Sequence, residues 1–112
     1  MPQPEPQRTN GKILRPDAVR VTGAAAERFE LLRGDTPEQH FPPDARKEGL
    51  DALVSVDLLL NTQGEVLEAQ VIGESPSGKG FGLAALDTAK TFVFSNPLKK
   101  LVLMSVDVEF QP

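Results

Sequence analysis

The chain has no cysteine, no tryptophan and no tyrosine. Without cysteine there is no disulfide framework, no thiol nucleophile and no Cys-ligated zinc; the absence fits the cytosol and the bacterial periplasm equally. Six phenylalanines are the only aromatic residues, so the core must be built mostly from Val, Leu and Ala. Cations are also in the minority: 12 Lys and Arg face 16 Asp and Glu, for a net charge of −4. Phosphate contacts need clustered positive charge, so no nucleic-acid surface is expected. No apolar run approaches the roughly 18–20 residues that cross a bilayer. The opening MPQPEP is not followed by the apolar segment of a secretory signal. Any export signal or anchor is therefore expected on a part of the chain not present here.

Chemistry-bearing residues are sparse. His40 is the only histidine and, beside prolines, reads as a surface residue. Ser75, Ser77 and Ser95 have no base near them in sequence. SGKGFG (77–82) lacks the first glycine and the following Ser or Thr of a phosphate loop. Glu27, Glu30, Glu38 and Glu48 do not have metal-ligand spacing. No enzymatic activity, cofactor or metal site is expected.

What is present divides unevenly. Residues 1–12, MPQPEPQRTNGK, alternate proline with polar residues and suit an extended, partly disordered spacer. In ILRPDAVRVT, Val19 and Val21 alternate about Arg20, which suits a short edge strand limited by Pro16. GAAAERFELLRG predicts either a helix over 24–33 with Phe29 and Leu32 on one side, or a tail that is helical only transiently. GDTPEQ is a turn-rich link. Residues 1–37 are accordingly assigned to a Pro-rich linker, and 38–112 to a folded domain.

Within that domain HFPPDARKEG (40–49) stands out. Pro42 and Pro43 suit a helix start, Asp44 favours the first turn, and Gly49 suits the residue that ends the helix. In ALVSVDLLL, Val54, Val56, Leu58 and Leu60 share one face, with Ser55 and Asp57 on the other. NTQG (61–64) predicts a hairpin turn. In EVLEAQVIG, Val66, Ala69 and Val71 break alternation by one residue, predicting a bulge or strong twist near that turn. Phe81, Ala85, Ala89 and Phe92 have helical spacing, widened by Leu86 and Val93. LVLMSVDVEF places Val102, Met104, Val106, Val108 and Phe110 inward and Ser105, Asp107 and Glu109 outward. The order helix, strand, strand, helix, strand predicts an α+β fold with two helices packed on one face of a three-stranded antiparallel sheet.

The stretch from His40 to Phe110 resembles the TonB C-terminal domain family. Phe41-Pro42 stands at that family's aromatic–Pro position, with Ala45 and Gly49 at its small helix residue and glycine. Val54 and Val56 match its first strand, Gly64-Glu65-Val66 its turn and return, and Ala84, Ala85 and Ala89 its second helix. Phe92-Val93-Phe94 replaces its Trp-Arg-Phe, and Pro97 lies one residue late. The resemblance implies a periplasmic energy transducer, held at the inner membrane by an N-terminal helix absent from this chain and driven there by motor proteins. It would bind the box segment of outer-membrane receptors by strand addition. Contacts are then expected from Glu38, Gln39, His40 and Phe41, just ahead of Pro42. The last strand, taken to be an open edge, would contribute Leu101, Leu103, Ser105, Asp107 and Glu109. Such an edge also makes a strand-exchanged homodimer a hazard at high concentration. The alternative is a TolA-like or other adaptor in an envelope-spanning secretion, motility or integrity complex.

Overall fold

The computed structural model describes residues 12–112, so the Pro-rich stretch ahead of Lys12 lies outside the described residues. Along the chain come β1 (Val19–Arg20), α1 (Gly23–Glu27), β2 (Leu31–Arg33), a 3-10 turn (Pro37–His40) and α2 (Pro43–Lys47). They are followed by β3 (Ala52–Leu60), β4 (Val66–Ser75), α3 (Phe81–Ala89), β5 (Val93–Phe94) and β6 (Val102–Phe110). The main sheet has the order β1-β6-β3-β4. Its last three strands are the antiparallel trio expected from the sequence. The fourth, β1, is parallel to β6 and was not expected in this sheet, while β2 and β5 form a second, two-stranded sheet.

The two-residue period of a strand sets where the core lies. Val54, Val56, Leu58 and Leu60 of β3 point to one face together with Val102, Met104, Val108 and Phe110 of β6, and all are buried. α3 lays Phe81, Ala84, Ala85 and Ala89 on that face. Phe41, Phe81 and Phe110 meet edge-on or tilted, with ring centres 5.1–5.7 Å apart. This trio ties the segment between the 3-10 turn and α2 to the start of α3 and the end of β6. α2 is as short as its brackets allow. Pro42 caps it in extended conformation, Pro43 opens it, and Gly49 at φ +69° stops it. Only Ala45 of α2 is buried, so its role is to turn the chain.

Two helix expectations are corrected. The segment expected to be helical over 24–33 is helical only to Glu27. Phe29 is buried as expected, but Leu32 is exposed, and Leu31–Arg33 pairs with β5. Tertiary bonds override the local propensity: Ser95 N–H donates to the Glu30 carbonyl at 2.8 Å, and Glu30 N–H donates to Ser95 Oγ at 2.9 Å. The second helix stops at Ala89, short of Phe92 and Val93. Thr91 Oγ1 donates to the Thr88 carbonyl at 2.6 Å, and Phe94 N–H donates to the Gly64 carbonyl at 2.9 Å, drawing the aromatic end into a strand. The expected bulge is at Leu67, where the partners of Leu59 and Leu60 jump from Glu68 to Val66; a second skips Ile72.

Gly64 ends the hairpin turn at φ +85°, and a Cβ there would lie 1.7 Å from the Phe94 carbonyl oxygen. Gly49 has a similar φ but open space around it. Gly49→Ala is therefore expected to cost about 1–2 kcal/mol from backbone strain alone. Gly64→Ala should cost more, roughly 3 kcal/mol or above, because β5 must move as well. Urea denaturation of the two variants checks the difference.

Candidate strand-docking edge

β6 pairs with β3 over nine residues without a register shift, from Phe110 opposite Ala52 to Val102 opposite Leu60. Backbone groups of a strand alternate sides, so one parity of β6 faces β3 and the other faces away. The Leu101 and Leu103 carbonyls accept from Val19 and Val21 N–H, each at 2.9 Å, so odd-numbered residues face away from β3. Ser105, Asp107 and Glu109 continue that row. Beyond Val21, no described residue pairs with it. The edge expected along the whole last strand is thus open only in its second half. At Leu101 and Leu103 the expectation is corrected, because β1 occupies their outward groups.

The side chains of the row add a second distinction. Leu103 is 5% exposed and Leu101 is half-buried, both packed in a small cluster with Ile13, Leu59 and Ala18 on the sheet face opposite α3. Ser105, Asp107 and Glu109 are exposed. Asp107 accepts from Ser55 Oγ, its cross-strand neighbour on β3, at 2.8 Å. At the far end of β6, Thr36, Pro37, Glu38, Glu109 and Gln111 line an open groove of about 250 Å³. Glu38 and Glu109, from two separately predicted clusters, therefore meet in one place. Among the described residues neither they nor Asp107 form a salt bridge, so the strip is acidic.

The other residues ahead of Pro42 hold the turn itself. Gln39 Oε1 accepts from Thr36 N–H at 2.7 Å in a capping box. His40 Nε2 lies 2.9 Å from Asp35 Oδ2. Phe41 is 7% exposed, with the Arg46 guanidinium 4.6 Å from its ring centre, so its side chain is an internal anchor and not a free contact surface. Arg46 also donates to the Glu38 carbonyl at 3.1 Å.

Sequence reading missed the polar centre of the opposite sheet face. Asp57 is fully buried there. It accepts from the two terminal guanidinium nitrogens of Arg20 at 2.6 and 2.9 Å, from Ile13 N–H at 2.9 Å and from Ser105 Oγ at 3.0 Å. Burial opposes its ionisation, but these donors outweigh burial and hold the carboxyl below its ordinary range. A signal existed in Leu58-Leu59-Leu60, where three consecutive apolar residues require both faces of the strand to be covered.

The sequence model of the Gram-negative bacterial TonB protein C-terminal family matches residues 37–112. The chain belongs to that family. Its fold is similar to the solution structure of the Pseudomonas aeruginosa TonB C-terminal domain, with a TM-score of 0.61 over 83% of this chain and 92% of that one, at 18% identity. A search of curated proteins gave no match. TonB C-terminal domains are non-enzymatic links in energy transduction. No helix among the described residues of this TonB-family domain is long and apolar enough to cross a membrane.

The lowered Asp57 carboxyl sets a pH dependence. Its contribution to stability is full above the unfolded-state pKa of about 3.9 and is lost as pH falls from there through the depressed folded value. Asp57→Asn is expected to flatten that part of the urea-stability curve. Phe41→Ala should cost about 3–5 kcal/mol by the same assay, whereas Glu38→Ala should stay within about 0.5 kcal/mol of the parent.

Proposed function

We propose that this domain is a periplasmic energy-transducing module that takes the box segment of a TonB-dependent outer-membrane receptor as an added strand on β6. Force from an inner-membrane proton-driven motor reaches it through the chain preceding Ile13 and drives substrate uptake. The observation that carries this is the contrast between the two edges of the sheet. The open half of β6 lies on a strand without a register shift, while the β4 edge is interrupted by bulges at Leu67 and Ile72. Bulges blunt an edge and a regular strand offers it. Main-chain bonds would supply most of the affinity, and the acidic strip of Glu38, Asp107 and Glu109 would select the side chains of the incoming strand.

Titration of isotope-labelled protein with box-like peptides is expected to shift the Ser105, Asp107 and Glu109 amides first. A peptide placing Lys beside Asp107 should bind more tightly than its Glu counterpart by about 0.2–1 kcal/mol. Asp107→Pro removes an N–H that faces away from β3, so the domain should still fold and yet lose peptide binding. A folded domain that ignores every such peptide at high concentration would instead direct attention to an adaptor role in another envelope complex.

A further inference from the structure

We infer that residues 13–21 form a releasable strap that competes with the incoming strand for the edge of β6, latched by Arg20 on Asp57. The inference rests on the strand-addition reading above and adds its regulation. β1 uses the same row of outward groups that an added strand would need: Leu101 and Leu103 accept from Val19 and Val21. One carbonyl row cannot serve two strands in the same positions. An added strand confined to Ser105, Asp107 and Glu109 fits beside the strap, but a longer one overlaps Val19–Val21.

The strap is built to come away separately from the core. β1 is only two residues long, so most of its hold comes from side chains. Arg20 and the Ile13 N–H share the Asp57 carboxylate, and Ile13 and Ala18 pack on Leu59, Leu101 and Leu103. That cluster lies on the opposite sheet face from the main core of β3, β6 and α3. Within the strap only Val21 reaches the main core. Release separates Arg20 from Asp57 where water can enter behind the departing chain, so neither charge is left buried and dry. It also returns the Leu101 and Leu103 groups to the open edge, extending it along the whole strand. Tension on the chain ahead of Lys12 meets Ile13 and the latch before any other buried residue of the described fold.

Hydrogen exchange and peptide titration on the full chain test this together. The Ile13, Val19 and Val21 amides are expected to exchange as a group, faster than Met104 and Val106, which face β3. Arg20→Ala should quicken that group by roughly tenfold or more and leave Met104 unchanged. A nine-residue strand peptide should then bind roughly tenfold more tightly, because apparent affinity scales with the competent fraction, while a five-residue peptide should bind as before. Val19→Pro deletes the N–H that Leu101 accepts without altering charge, and should reproduce the gain for the long peptide. The strap is fixed, and the inference overturned, if its amides exchange only at the rate of Met104, or if neither variant improves binding of the long peptide. If no peptide binds the parent or either variant, strand addition itself fails, and the competitive role fails with it even where the amides report opening.

Discussion

The unshifted pairing of β3 with β6 is the constraint on which the other features depend. Nine consecutive residue pairs without a bulge keep a single parity from Val102 to Phe110. That parity sends Val102, Met104, Val108 and Phe110 into the core and their N–H and C=O groups to β3. It turns the backbone of Ser105, Asp107 and Glu109 to the outside, with their side chains on the opposite sheet face. A one-residue slip would exchange the two sets, burying carboxylates and exposing the core face. Strong specification of register on the inside thus also fixes which backbone groups make up the outside row.

Around this pair, the short elements act as fasteners. Gly64 brings the hairpin tip against the Phe94 backbone, so the two-stranded sheet is fixed to the main one through a contact that has no room for a side chain. The aromatic trio does the same at the other end, where Phe41 anchors the capped turn that carries Glu38 to the end of β6. Asp57 is different in kind. A buried carboxylate with four donors contributes little net stability compared with an apolar residue of similar size, but it accepts only one arrangement of its partners. Here those partners are the N-terminal segment and β6, so the cluster decides where the chain crosses the sheet.

The sequence carried the domain itself clearly. The alternation in ALVSVDLLL and LVLMSVDVEF, the paired prolines with Gly49, and the broken alternation after NTQG each correspond to the element they predict. Family membership was legible from the same residues. The structure-dependent parts were less so. Helical spacing at Phe81, Ala85, Ala89 and Phe92 is real for three of the four, but Phe92 is drawn off by pairing with a segment some sixty residues earlier, which local periodicity does not register. The outward positions Ser105, Asp107 and Glu109 were read correctly as exposed, while Leu101 and Leu103 were misjudged because the covering strand comes from the part of the chain taken to be linker. The alternation of Val19 and Val21 about Arg20, and a charged residue inside an apolar strand followed by apolar residues of both parities, were the local signs that this part folds back.

The two bulges of β4 have a consequence for assembly. Unlimited growth of a sheet between identical molecules requires two different edges that fit each other, head to tail, so that each addition leaves a fresh site. Among the described residues β4 is kinked at Leu67 and Ile72, so the regular open edge of the main sheet is the second half of β6, and there another copy would meet it through the same surface. Such a contact is isologous and closes on a two-fold axis. The molecule can therefore offer the short open row at Ser105, Asp107 and Glu109 to a partner while its main sheet gives a second copy no matching opposite edge on which to extend.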